Sequence, residues 1–123
     1  MRTALLVDDS KTILMSLSRV LAATGYTVET ALDGEQALAK ITAGVKPTVI
    51  ITDLNMPRMD GITFIRAARK APGGRFTPIL MLTTESQQTK RAEARAAGAT
   101  GWLVKPIQPA DLLQVLDHVI PNG

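Results

Sequence analysis

The chain has no cysteine, which excludes disulfides and thiol chemistry and fits a reducing compartment. Aromatic residues are scarce: one Trp, one Tyr and two Phe leave little for stacking on nucleic-acid bases. The single histidine, His118, is far in sequence from every acidic segment and reads as a surface or helix-end residue rather than a ligand. No apolar run approaches the roughly 20 residues that span a bilayer. Only Ala4 to Val7 follow Met1-Arg2-Thr3 before two aspartates interrupt, too short a run for a signal-peptide core. A soluble, cytoplasmic protein with no membrane insertion is expected. Charge is not one-sided either: fourteen basic against eleven acidic residues give +3, spread over most of the predicted helices, so nucleic acid is a poor first partner. There is no low-complexity tract and no obvious long repeat.

What is present is an apolar content of 46% in 123 residues, enough for one domain, residues 1–123, to bury a core without staples. The chain turns on residues 49–61. Val49, Ile50 and Ile51 are β-branched and read as a strand buried on both faces, ending at Asp53. Pro57 prevents the strand from continuing, and Asp60-Gly61 supplies turn chemistry before the next helix.

The same alternation recurs along the chain. Thr3–Val7 reads as a first strand, and Asp8-Asp9-Ser10 opens a helix to about Thr24 with Ile13, Leu14, Leu17, Val20 and Leu21 at helical spacing. Residues 26–31 form a second strand, and Asp33-Gly34 leads into a helix with Ala37, Leu38 and Ile41 on one stripe. A third helix runs from about Gly61 to Lys70, and Pro72-Gly73-Gly74 is a loop rather than a phosphate-binding turn. Residues 78–83 make a fourth strand, Ser86 to about Ala97 a helix ended by Gly98, residues 100–104 a fifth strand, and a last helix begins near Pro109 and stops before Pro121. Five such units predict an α/β fold: a single (βα)5 flavodoxin-like, doubly wound domain with a parallel five-stranded sheet in the order 2-1-3-4-5.

In such a sheet the carboxyl ends of the strands share one edge, and here they deliver Asp8 and Asp9, Asp53, Thr83-Thr84-Glu85, and Lys105-Pro106. Taken singly, Asp9 or Ser10 reads as a helix cap, Thr83 as an ordinary strand residue and Lys105 as a solvated charge. Taken together they do not. Three carboxylates at one point repel one another unless a cation sits among them. Three carboxylates and one ammonium leave two negative charges, the donors are all oxygen, and the ion favoured is Mg²⁺, with Mn²⁺ as a substitute. Asp53 is then best placed to attack a phosphoryl group, with the Thr83 hydroxyl and the Lys105 ammonium on its oxygens.

The segments LLVDDS (5–10), TDLNMPRMDG (52–61), MLTTES (81–86) and AGATGWLVKP (97–106) resemble the receiver domains of two-component response regulators, closest to the single-domain chemotaxis regulators of the CheY type. The resemblance implies that Asp53 is the phosphorylated aspartate. It implies that Asp8 and Asp9 hold Mg²⁺, that the backbone carbonyl of Asn55 is a further ligand, and that Thr83 and Lys105 contact the phosphate. Asn55 and Glu85 match the two positions that tune hydrolysis, and Lys105-Pro106 matches a bond that is usually cis in the family.

One position departs from the pattern: the strand-5 switch residue, usually Tyr or Phe, is Trp102. Two readings stand, a rotating switch and a Trp packed permanently against helix 4 or 5. The function implied is a phosphorylation switch rather than an enzyme, catalysing only its own phosphotransfer and slow autodephosphorylation. A histidine kinase or phosphotransfer protein would load it, and a downstream protein would bind the helix 4, strand 5, helix 5 face. A monomer is expected, with chemotaxis as the pathway and a phosphate sink or phosphorelay intermediate as the alternative. Lys90, Arg91 and Arg95 border that face and read either as a site for an acidic partner or as a solvated helix face. A phosphatase is disfavoured because Asn55 stands where a second, proton-shuttling Asp is needed. A flavodoxin is disfavoured because Asp8-Asp9 would repel a flavin phosphate.

Overall fold

The computed structural model describes residues 2–120, except the side chain of Glu85. Strands β1 (Thr3–Val7), β2 (Thr27–Ala31), β3 (Val49–Asp53), β4 (Ile79–Thr83) and β5 (Gly101–Val104) alternate with helices α1 (Lys11–Ala23), α2 (Gly34–Thr42), α3 (Gly61–Lys70), α4 (Arg91–Ala97) and α5 (Pro109–Val119). All four pairings are parallel and the order is β2-β1-β3-β4-β5, the doubly wound arrangement expected from the sequence. The winding reverses between β1 and β3, so a crevice opens at the carboxyl ends of those two strands.

The sheet holds together because β1, β3 and β4 are buried almost throughout. Alternate residues feed two cores. Leu5, Val7, Ile50, Ile79 and Met81 join Ala37, Ile41, Phe64, Ile65 and Ala68 of α2 and α3 and Ala94 of α4. Leu6, Val49, Ile51, Leu80 and Leu82 join Leu14, Leu17 and Leu21 of α1 and Leu112 and Leu116 of α5. Each fully buried aliphatic side chain is worth about 1.5–3 kcal/mol relative to an exposed one. A one-residue slip would exchange the two cores, so the register that aligns the strand ends is strongly held.

Three helices are capped at the same end of the sheet. Ser10 Oγ accepts from Ile13 N (3.3 Å), Asp33 Oδ1 from Gln36 N (2.9 Å) and Asp60 Oδ1 from Thr63 N (2.8 Å), each worth about 1 kcal/mol. Because Ser10 is the cap of α1, Asp9 is free for other work.

The fourth helix departs from the sequence pattern, which places its start at Ser86. Residues Glu85–Lys90 form a 3₁₀ helix and the α-helix begins only at Arg91. Residues 85–90 contain no apolar side chain, so nothing drives a stripe of them onto the sheet; the first buried positions are Ala94 and Ala97. The Gln87 side chain accepts from Thr84 N (2.8 Å) and tightens the turn. Strands 2, 4 and 5 each begin one residue later than the pattern, at Thr27, Ile79 and Gly101.

Candidate functional site

The register that pairs Val7 with Thr52 brings the next residues, Asp8 and Asp53, to neighbouring positions at the mouth of the crevice. Asp8 N still donates to Ala31 O of β2 (3.1 Å), so the backbone there is held as strand. On the other side Lys105 N donates to Thr83 O (2.7 Å), which fixes the backbone from which the Lys105 side chain reaches back. The Lys105–Pro106 peptide bond is cis.

Asp8, Asp9 and Asp53 each offer a carboxylate oxygen, and these lie within 4.8 Å of one another. Asp8 and Asp53 are only 1% and 7% exposed, whereas Asp9 is open to solvent. Lys105 Nζ donates to Asp53 Oδ1 (3.0 Å) and lies 3.3 Å from Asp8 Oδ2. Asp8 Oδ1 accepts from Ser10 N (2.9 Å), but its buried Oδ2 receives no hydrogen bond, because the Lys105 contact is an ion pair without hydrogen-bond geometry. One ammonium shared between two buried carboxylates leaves this oxygen under-satisfied, which favours a further cation beside it. With an all-oxygen donor set and one ammonium against three carboxylates, these residues fit a hard divalent ion such as Mg²⁺.

The electrostatics agree. Burial pushes the Asp53 carboxyl above its ordinary value; the Lys105 hydrogen bond pulls it down and the charge of Asp8 pushes it up again. For Lys105, burial works downward, but its bond to Asp53 and the charges of Asp53 and Asp8 outweigh it and the ammonium ends up raised. The lysine is thus firmly charged, and the Asp53 carboxylate is ionised at a cost.

Thr83 is 1% exposed, and its hydroxyl donates to Leu103 O at 3.5 Å, the outer limit of a hydrogen bond. That bond is weak enough to be given up for a better acceptor. Asn55 stands exposed on the β3–α3 loop. The Glu85 side chain lies outside the described residues. Trp102 is half-buried against the α4 side of the sheet, and two guanidiniums cover its ring, Arg91 Cζ at 4.9 Å and Arg95 Cζ at 5.1 Å from the centroid. Arg91 Nε is buried without a hydrogen-bond partner, its guanidinium lying over the indole.

The arginine clamp is not evident from composition. Its one signal is the i, i+4 spacing of Arg91 and Arg95, which puts both on one helix face. Two further features of the β3–α3 loop are also invisible in the pattern. Gly61 N donates to Leu54 O (2.8 Å), and a β-carbon at Gly61 would fall 2.2 Å from Asp53 O, so only glycine allows α3 to start so close to Asp53. The exposed Arg58 guanidinium lies 3.9 Å from buried Asp33.

A parallel sheet with an acidic cluster and one lysine at its switch point defines a class of small α/β proteins whose strand ends can hold a divalent ion among carboxylates. The chain belongs to the response regulator receiver domains: the model of that family matches residues 4–117. Chemotaxis protein CheY1 of Helicobacter pylori is 35% identical over 117 residues, covering 94% of each chain. Protein PilG of Pseudomonas aeruginosa is 34% identical over 118 residues, 96% of this chain and 87% of that one. Among solved structures, chemotaxis protein CheY4 of Vibrio cholerae superposes with a TM-score of 0.91 at 50% identity, covering 98% and 99% of the two chains. The receiver domain of the sensor histidine kinase PA1611 of Pseudomonas aeruginosa, solved with magnesium in its active-site cleft, superposes with a TM-score of 0.87 at 30% identity, covering 96% of each. The chain spans 46% of the transcriptional regulatory protein PrrA of Mycobacterium tuberculosis, to which it is 38% identical over 109 residues.

Phosphorylation on an aspartate is general for this family, whose members are signalling switches that bind Mg²⁺ at an acidic pocket and interact with histidine kinases and downstream targets. Among the described residues no helix is long and apolar enough to cross a membrane.

Proposed function

We propose that Asp53 is the phosphoacceptor of a Mg²⁺-dependent switch loaded by a histidine kinase, a phosphotransfer protein or a small phosphodonor. The observation that carries this reading is the pairing of the Asp53 carboxylate with Lys105 beside the unbonded, buried oxygen of Asp8. Asp8, Asp9 and Asp53, with the Asn55 backbone carbonyl, would hold the ion. When bound, it neutralises excess negative charge and polarises the phosphoryl oxygens.

The chain's own residues do the rest. An Asp53 oxygen attacks phosphorus, and the P–N bond of a phosphohistidine breaks with its electron pair going to the departing imidazole, which is protonated as it leaves. Lys105 then moves from pairing carboxylates to pairing the new phosphoryl oxygens, where an ammonium stabilises the charge that builds up in transfer. Thr83 exchanges its long bond to Leu103 O for a phosphoryl oxygen. Autodephosphorylation is the attack of water on the acyl phosphate, which restores the Asp53 carboxylate and releases inorganic phosphate; Asn55 and Glu85, at the two positions that the family resemblance ties to hydrolysis, tune its rate. Turnover of external substrate plays no part.

Output runs through the face made by α4, β5 and α5, where Arg91 and Arg95 lie over the ring of Trp102. Such a switch needs two states within a few kcal/mol, biased by the new phosphate contacts. Likeness to chemotaxis proteins over nearly their whole length supports chemotaxis as the pathway; a cytoplasmic, monomeric working form belongs to the same reading. A second reading, a phosphate sink with no switched output, is favoured by one observation: Trp102 is clamped on α4 by two arginines.

The test is intact-mass measurement after incubation with acetyl phosphate. One phosphoryl group is expected on the wild type with Mg²⁺, none with a chelator and none on Asp53→Asn. Unchanged labelling of Asp53→Asn would refute the assignment.

A further inference from the structure

The loop that leaves Asp53, residues 54–60, has its two ends tied by the Gly61–Leu54 bond, and through Met59 it rests on the start of α2. The seat is Gly34, which is buried. A β-carbon there would lie 2.9 Å from Met59 Cγ, 3.0 Å from Met59 Cβ and 3.0 Å from the Met59 carbonyl oxygen. Two of these neighbours are side chain and one is backbone, so even a methyl group would move the loop itself.

Backbone conformation does not explain a glycine at this place. Gly34 is not among the glycines with positive φ, and at the first position of α2 alanine would suit the helix backbone at least as well. Space explains it. The neighbouring contact between Arg58 and Asp33 is a long ion pair of 3.9 Å to a mostly exposed guanidinium, too weak to set the loop alone. Arg58 nevertheless holds φ at +68°, a conformation that costs a non-glycine residue on the order of 1 kcal/mol or more and persists only where its surroundings impose it. The bond from Met59 N to Pro57 O (2.7 Å) closes a three-residue turn about Arg58 and accounts for that φ, and Met59, the residue that closes the turn, is the one seated on Gly34.

We propose that Gly34 is a positioning residue of the metal site: by leaving room for Met59, it fixes the β3–α3 loop and with it the backbone that borders Asp53. This rests on the magnesium reading given above. Gly34 touches no metal ligand and acts only through the loop. A packing role alone would lower stability without changing affinity for the ion.

Calorimetric titration of the metal-free full chain with Mg²⁺ separates the two roles. Gly34→Ala is expected to bind Mg²⁺ about tenfold more weakly than wild type, the scale seen when groups behind metal ligands are disturbed. The control is Gly74→Ala, whose β-carbon would fall 2.4 Å from Ala68 O in the loop between α3 and β4, at the opposite end of the sheet. It is expected to lower the melting temperature and leave Mg²⁺ affinity within about twofold, as befits a site outside the supporting groups. Should Gly34→Ala fail to fold, Met59→Ala removes the other half of the contact and is expected to weaken binding in the same way. A folded Gly34→Ala or Met59→Ala that binds like wild type, or a Gly74→Ala that weakens binding equally, overturns the inference alone. No Mg²⁺ uptake by wild type overturns the magnesium reading and this inference with it.

Discussion

Arg91 and Arg95 cover the ring of Trp102, and the strength of that contact can be measured. Each guanidinium lies about 5 Å from the indole centroid, within the range where a cation over an aromatic face contributes roughly 0.5–1 kcal/mol at a partly exposed site. Removing both should therefore cost about 1–2 kcal/mol. Against this, like charges four residues apart repel by roughly 0.2–0.5 kcal/mol, and alanine is the better helix former, so the raw stability of Arg91→Ala/Arg95→Ala understates the contact. A double-mutant cycle with Trp102→Leu cancels those helix terms. Urea unfolding of the four proteins should give a coupling of about 1–2 kcal/mol between the arginine pair and Trp102, well above the roughly 0.3–0.5 kcal/mol by which independent sites fail to add. Trp102 is the only tryptophan, so its emission should shift red when the guanidiniums are removed. If the clamp opposes movement of Trp102, the arginine-free variant should also change emission more than wild type does when treated with acetyl phosphate and Mg²⁺. Coupling indistinguishable from zero would refute the clamp and the link drawn from it to the phosphate-sink reading.

Other consequences follow from the acidic cluster and its loop. Mg²⁺ at ten times its dissociation constant should stabilise the fold by about 1.4 kcal/mol, roughly 5 °C in a domain of this size; thermal unfolding should show this shift, and Asp8→Asn should remove most of it. Without metal, Asp53→Asn should melt above wild type at neutral pH. The folded-state pKa of Asp53 is raised, so its contribution to stability is complete below the unfolded value of about 3.8 and is lost as pH rises through the folded value; the advantage of the variant should shrink as pH falls toward that value. Melting curves across pH in a chelator check the sign. Gly61→Ala, which would set a methyl group 2.2 Å from Asp53 O, should destabilise by on the order of 1–3 kcal/mol in urea unfolding.

The order of the sheet was legible because Val49–Ile51, Ala4–Val7 and Ile79–Leu82 are uninterrupted apolar runs, each followed by a polar residue and then a helical stripe. The acidic cluster was legible for the same reason: once strand ends share an edge, Asp8, Asp9, Asp53 and Lys105 must meet. The start of the fourth helix was not. Residues 85–90 carry helix-compatible but wholly polar side chains, and only tertiary packing tells α from 3₁₀ there. The seating of Met59 on Gly34 and of α3 on Asp53 depends on ångström-scale approach of segments distant in sequence, to which periodicity is blind. Trp102 was visible as a departure, but its two arginines became neighbours only through the packing of α4 on β5.

The most direct measurement is the location of the phosphoryl group. After incubation with acetyl phosphate and Mg²⁺, borohydride converts an aspartyl phosphate to homoserine, and peptide mass mapping reads its position. Homoserine at position 53, absent when Mg²⁺ is chelated, is the predicted result. Conversion at position 8 or 9 instead, or at no position while Mg²⁺ is bound, would contradict the role given to Asp53.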